Sequence, residues 1–561
     1  MKNYCKLLAF SLILLPYIGC STLSDQNTAE DRAYSLLKFK SRERSLNMEV
    51  FSLDNASSIF RKKIMEEQGL YIPANTLLEN NPYNRGETSG SNDVFSEALT
   101  LDAVLEIAAN NSREYQTEKE KVFRAALQLD LVMYDFGIQL DSLAIDSTLI
   151  ENRGSENTRR GFENSASIGI QKRFLSGASF RSSLVFDLVQ LLKSKSASSL
   201  GLVSDTSVNI PLLRGSGKEI VGEPLTAAER SVEYALADFD FYRRNFVVNI
   251  AREFYNVLQT RDQIQNAKDN YNNLRKSTQR VSAIAESGRI PENQVDQSRQ
   301  DEYRAELRLI DAKSRYEDNL DRLKISMGIP VDAKLELEQM ELERLAKTFS
   351  VPEDPLWEKG QNELFKLAFK SREDVQTFYR RVEDAYRKVN IAKDAMRAEF
   401  TIGGKVNAGS GRSLSSADSQ DSMPNFNQGL FQGLLHIDLP IDRRKESKVL
   451  RESIINLQQS IREYERKSDD LKSSIRGIVR EIERVLANYE IQKNSLELAK
   501  RRVERANLLL EAGRIEVRDL LEAQEAYVSS QNSLTQAVVD YRINLWSLER
   551  FLGILDINEF L

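Results

Sequence analysis

From Leu450 onward, apolar residues recur at alternating steps of four and three: Ile454, Leu457, Ile461, Tyr464, Leu471, Ile475, Ile478, Ile482, Val485, Tyr489, Leu496, Ala499, Val503, Ala506 and Leu510. This 3.5-residue period is a coiled-coil seam and predicts one helix of roughly sixty residues. A second seam keeps the same phase through Phe239, Phe246, Ile250, Val257, Ile264, Tyr271, Leu274, Val281 and Ala285. At 1.5 Å per residue each helix would be on the order of 95–105 Å long.

Both seams run into the same turn. Glu286–Ile290 (Glu-Ser-Gly-Arg-Ile) returns as Glu511–Ile515 (Glu-Ala-Gly-Arg-Ile), 225 positions later. The offset also pairs Arg280 with Arg505, Leu309 with Leu534, Tyr316 with Tyr541, and Gly328 with Gly553. So long a register marks an internal duplication. Gly288 and Gly513 stand where a left-handed residue ends one helix, and Pro291 suits the first turn of the next. Each turn is therefore the expected tip of an antiparallel helical hairpin.

Upstream of each long helix the period changes to two. Ala166, Ile168 and Ile170 alternate with Ser165, Ser167, Gly169 and Gln171. Phe180, Leu184, Phe186 and Leu188 alternate with polar positions, as do Leu202, Val208, Ile210 and Leu212. In the second copy Phe431, Leu435, Ile437 and Leu439 alternate with Gln432, His436 and Asp438, opposite a glycine-rich strand candidate at Thr401–Gly409. Such alternation fits membrane β-strands or a half-buried sheet in a soluble domain, and the pattern alone leaves both open. Read as two strand pairs, it gives four strands per chain. Four strands cannot close a barrel, and open edges are not viable in lipid, so oligomerisation is expected. Three copies would supply a 12-stranded barrel and a ring of twelve helices.

The expected layout is a signal segment at 1–20, a polar extension at 21–95 holding one short helix, repeat 1 at 96–330, a connector at 331–356, and repeat 2 at 357–561. The fold class is mainly α with a β portion. Composition agrees: 29% of residues are charged and 8% aromatic, with 11 prolines that leave long stretches unbroken. The net charge of -6, with both signs interspersed, gives no nucleic-acid surface. Both cysteines lie in the first twenty residues and His436 is the one histidine, which excludes disulfides, Cys-His zinc sites and thiol nucleophiles from the body of the chain.

The N-terminus reads as an address. Lys2 and Lys6 precede a mostly apolar run, Leu7–Gly19, too short for a membrane helix and of secretory length. Tyr17–Ser21 resembles a bacterial lipoprotein cleavage box that would leave Cys20 as the lipidated first residue, although leucine is usual where Tyr17 stands. Plain signal cleavage is the alternative. Ser21 resembles the outer-membrane sorting pattern of such lipoproteins.

In order and duplication the chain resembles the TolC-type outer-membrane efflux factors over roughly residues 96 to 555. Pro211–Gly217 and Leu439–Arg444 resemble that family's strand-to-helix junctions. The resemblance implies a homotrimeric channel-tunnel in outer-membrane lipid with a long periplasmic portion, no catalytic step and no cofactor. It would be the passive exit duct of a tripartite efflux or type I secretion system, docked to a periplasmic membrane-fusion adaptor and, through it, to an inner-membrane pump. By position it points to Gly288, Arg289, Gly513 and Arg514 as adaptor-docking tips. It also points to Asp519 and Glu522, three apart on one helical face, as a pore constriction. The first copy has Gln294 and Gln297 there, so any acidic ring comes from one repeat. The family's usual gating arginine is replaced by Ile515.

Two motifs are decoys. Gly215–Lys218 follows a strand and precedes a helix, but Leu212 and Glu219 break the spacing of a phosphate loop. His436 has no metal-ligating partner in the sequence. The rival reading is a periplasmic coiled-coil adaptor or scaffold lipoprotein that does not span the membrane; the duplicated hairpin and the alternating strands argue against it.

Overall fold

The computed structural model describes residues 22–43, 56–70, 98–140, 144–152, 159–191, 199–288, 291–347, 349, 355–417, 420–427, 429–439, 441–512 and 514–557. The helices are α1 (Thr22–Glu43), α2 (Ala56–Glu67), α3 (Leu101–Asn111) and α4 (Arg113–Asp135). Strands β1 (Ile138–Leu140), β2 (Ala144–Asn152), β3 (Arg159–Arg173), β4 (Ser179–Leu191) and β5 (Ser199–Pro211) follow. Then come α5 (Lys218–Val221), α6 (Glu223–Glu286), α7 (Glu292–Ser326) and α8 (Met340–Lys347). The second repeat has α9 (Gln361–Ser371), α10 (Glu373–Asp394), β6 (Glu399–Ser410), β7 (Gly429–Asp438), α11 (Arg444–Glu511) and α12 (Val517–Leu552). The signal segment and Cys20 lie outside the described residues.

The chain divides into two compact units. One comprises Met1–Glu49, Val122–Leu236 and Phe378–Glu465 and contains the sheet. All strands in it pair antiparallel, in the order β1-β3-β4-β5-β6-β7, with β2 also on β3. β1 and β2 face different stretches of β3, Ile170–Lys172 and Arg159–Ser167, on the same side of it. The sheet thus has six strand positions among the described residues, and the expectation of four strands per chain is corrected. The excess was hidden because Ser147 interrupts the apolar side of β2 and because β1 is only three residues long. Beside the sheet, the start of α6 is joined to α10 by charged groups: Arg387 Nε donates to Glu223 Oε2 at 3.0 Å, and Tyr234 Oη donates to Asp384 Oδ2 at 2.5 Å. α1 belongs here too, with Tyr34 and Phe123 rings 5.1 Å apart.

The other unit comprises Val50–Lys121, Ala237–Thr377 and Arg466–Leu561. Its helices bury the seams the sequence marks: Phe239, Phe246, Ile250, Val257, Leu274 and Val281 in α6, and Ile475, Ile482 and Val485 in α11. Thr100 caps α3, its hydroxyl accepting from Ala103 N at 3.3 Å. Trp357, Leu364, Ala368 and Val375 complete a core with α11 and with Tyr541, Leu548 and Leu552 of α12. Among the described residues the extension before residue 96 holds two helices where one short helix was expected. Ala33 and Leu37 of α1 and Ile64 of α2 are buried despite the polar composition of both helices. Gln68 also brackets Lys334 of the connector, its Oε1 accepting from Lys334 N at 2.8 Å.

Candidate functional site

Residues directly opposite across a ladder share a face, so the pairing sorts every strand side chain. One face carries Ile138, Leu140, Ile145 and Leu149, then Phe162, Ile168 and Ile170, then Phe180, Leu184 and Phe186. It continues through Leu202, Val208 and Ile210 to Ile402, Val406, Phe431, Leu435 and Ile437. The other face carries Gln139, Asp146, Glu163, Gln171, Arg181, Asp187, Asp205, Asn209, Lys405, Asn407, Gln432 and His436. Ile150, Val185, Val189, Leu191, Val203, Leu430 and Leu434 are apolar exceptions on it. Its charges pair across strands: Lys405 Nζ lies 2.8 Å from Asp205 Oδ2, and Arg181 donates to Gln171, which donates to Gln139, each at 2.8 Å. His436 opposes Thr401 on this polar face.

The strand connections at the two ends differ. β3 and β4 are joined by a tight turn in which Gly177 adopts φ +97° and donates to Phe174 O at 2.9 Å. A Cβ there would stand 2.6 Å from Gly215 O, so this turn sits on the junction that leads into α5 and α6. The connections at the other end are longer. Short turns at one end and long loops at the other are the pattern of membrane barrels. No helix among the described residues is long and apolar enough to cross a membrane.

At the first tip, Gly288 ends α6 with φ +75° and open space around it, and its amide donates to Ala285 O at 2.8 Å. Pro291 then caps α7. Arg289 and Gly513 lie outside the described residues. Arg514 is exposed, its amide donating to Leu509 O at 2.9 Å. Beneath the tips, Leu274, Val281, Val295, Val517 and Leu521 form one core, and Ala506, Leu520 and Ala523 another. Ile515 packs against the second, which explains why that position is apolar here. Burial of Val517, Leu520, Leu521 and Ala523 leaves Asp519 half-buried and Glu522 exposed. Glu522 lies 3.4 Å from Arg502 Nη2 and 3.7 Å from Arg518 Nε. Gln294 and Gln297 occupy half-buried positions on α7. Sequence reading missed these arginine contacts, although Arg518 stands four residues before Glu522 on the same helix.

Residues 206–328, from β5 through the first hairpin, match the family model described as outer membrane efflux protein. In fold the chain is similar to the outer-membrane channel OprN, with 14% identity, a TM-score of 0.60, and coverage of 81% of this chain and 89% of that one. It is similar to the Campylobacter jejuni CmeC outer membrane channel, with 14% identity, a TM-score of 0.59, and coverage of 85% and 96%. The outer membrane protein VceC of Vibrio cholerae matches with 14% identity, a TM-score of 0.57, and coverage of 81% and 96%. No curated protein matches the sequence. The fold matches that of these channels, mainly helical with a strand portion. The chain resembles the TolC-type outer-membrane efflux factors, as its duplicated order of elements implied.

Proposed function

We propose that this chain is a subunit of a trimeric outer-membrane channel-tunnel, the passive exit duct of a tripartite efflux or type I secretion system. The observation that carries the reading is the two-faced sheet: mainly apolar on one side and mainly polar on the other across its six strand positions, as a wall between lipid and water requires. A second feature supports assembly. Along the first third of α11 the seam residues Leu450, Ile454, Leu457 and Tyr464 are only half-buried and Ile461 is exposed, as are Val449 and Ile455 beside the seam. A coiled-coil seam only half-covered within its own chain fits neighbouring copies.

In this reading residues 96–330 and 357–561 are the two repeats, joined by 331–356, and Cys20 anchors the chain to the membrane through lipid. The turns at Gly288, Arg289, Gly513 and Arg514 dock a periplasmic adaptor that connects to an inner-membrane pump. Asp519 and Glu522 narrow the duct near the second tip. Reconstitution of the full chain in a planar bilayer tests the proposal. A discrete conductance from a heat-modifiable oligomer is expected, whereas a soluble monomer without conductance would favour the scaffold reading and end this one.

A further inference from the structure

The first repeat contains two strand positions that the second lacks. α3 and α9 begin at Leu101 and Gln361, 260 residues apart, whereas the tip glycines Gly288 and Gly513 are 225 apart. The surplus falls between helix and strand: β6 starts five residues after Asp394, but β4 starts 44 residues after Asp135. β1, β2 and β3 fill that interval as an inserted hairpin. It is fused to the sheet, with β3 paired to β4 from Gly161–Leu191 to Arg173–Ser179.

The hairpin also continues both faces. Ile145, Leu149, Phe162 and Ile168 extend the apolar side, where the polar groups satisfy one another: Ser147 Oγ donates to Asn164 Oδ1 at 2.7 Å, and Arg160 pairs with Glu151. On the polar side the Arg181–Gln171–Gln139 ladder ties β4 through β3 to β1. A flap folded off the wall would have no reason to keep this alternation.

We infer that the inserted hairpin is a wall element and the seam between copies: β1 and β2 of one chain pair with β7 of a second copy, so that three copies close an 18-stranded barrel. This rests on the trimeric channel reading above. Both edges are open and apolar in the single chain. On β7, Leu430, Phe431, Leu434 and Leu435 are 56–61% exposed, and on the opposite edge Ile138, Leu140, Ile145 and Leu149 are 63–73% exposed. An unpaired edge of this kind is not viable in lipid. Six positions is an even number, so β7 and the β1–β2 edge run antiparallel and the same ladder continues across the seam. The apolar sides then meet in register of face, Phe431 and Leu435 beside Ile145 and Leu149. Barrel width grows with strand number, and 16–18 strands enclose an open aqueous channel. The insertion therefore widens the mouth for a bulkier cargo.

The test is disulfide cross-linking of the full chain in outer-membrane vesicles, with the unaltered chain as control. Ile145→Cys is combined in turn with Phe431→Cys, Gly433→Cys and Leu435→Cys, to span the possible registers. Leu184→Cys on β4 is combined with the same three, because β4 is the edge that β7 would meet if the hairpin peeled away. A covalent trimer through an Ile145 combination, and through none with Leu184, is expected. A trimer joined through Leu184, or through neither set, overturns the seam and leaves the channel reading standing. A monomer in mild detergent overturns the trimeric reading itself.

Discussion

Gly328 lies against Asn111 so closely that a Cβ on it would stand 2.0 Å from the Asn111 carbonyl oxygen, at φ +78°. Gly553 repeats the arrangement at φ +74°, but there the nearest atom is the flexible Arg372 Cγ at 2.7 Å, with Ser371 O at 3.2 Å. In each repeat the returning helix thus stops on the junction between that repeat's first two helices. Gly328→Ala meets both backbone strain and a backbone clash, and should cost roughly 3 kcal/mol; Gly553→Ala, where a side chain can yield, should cost about 1–2 kcal/mol. Thermal melts of the two variants check the order. Equal losses would mean that the Asn111 contact relaxes freely.

The long helices of the two repeats are also joined by a polar ladder, and it titrates. Asn266 Nδ2 donates to Asn532 Oδ1 at 2.9 Å, and Thr535 Oγ1 donates to Asp262 Oδ2 at 3.2 Å. Burial raises the Asp262 carboxyl above its ordinary value, against the opposing hydrogen bonds from Thr535 and Asn266, and burial likewise raises Asp540. A raised carboxyl binds more protons folded than unfolded between its ordinary and raised values. Its contribution is therefore fully present below the unfolded value of about 4 and lost as pH rises through the raised one. Asp262→Asn should be at least as stable as the parent at pH 7, and its gain in melting temperature between pH 7 and pH 4.5 should be smaller. A parallel pair of pH profiles would show that Asp262 is ionised in water's manner.

The helical hairpins were legible because heptads and turn glycines are dense, local signals: Ile475, Ile482 and Phe246 are buried where the 3.5 period puts them. Alternation made β3, β4, β5 and β7 legible and glycine content β6, although reading them as two pairs counts only four. β2 was not, since Ser147 on its apolar side is satisfied only by Asn164 across the ladder, a contact that pattern reading cannot see. The signal available was the change of repeat offset from 260 between Leu101 and Gln361 to 225 between the tips, which requires an insertion in the first copy. Charge pairing around Glu522 was equally hidden. Arg502 reaches Glu522 only because two helices lie side by side.

That pairing separates the two carboxylates on α12. Glu522 is held by Arg502 and Arg518, whereas the Asp519 carboxylate has no cationic partner among the described residues. If this face lines the duct, Asp519→Asn should lower the cation-to-anion permeability ratio by about two- to threefold. Arg502→Gln, which removes one of the two cations beside Glu522, should raise it. Reversal potentials in salt gradients read both. Shifts in one common direction, or none, would place these carboxylates away from the ion path.

The connection from β6 to β7 turns back across the polar face of the sheet. Arg412 N donates to Asp187 Oδ2 at 3.2 Å, and Leu414 N donates to Glu163 Oε1 at 2.5 Å. Leu414 and Ala417 are buried with Val189, against Ile150 and Leu191. The loop therefore reaches from the second repeat over β4 to the inserted hairpin; two carboxylates and one apolar anchor hold it there, while Asp421 and Ser422 bond the backbone of Leu200 on β5. Where the polar face is the inside of a channel, three such loops obstruct the mouth. Removing both acceptors in Glu163→Ala with Asp187→Ala leaves two loop amides without partners, which favours release into water. Single-channel conductance should then rise on the order of twofold, with no change in the oligomer seen on a gel. Leu414→Ser should act in the same direction by removing the apolar anchor. Conductance equal to the parent's in both variants would mean that the loop lies flat on the wall and leaves the passage clear.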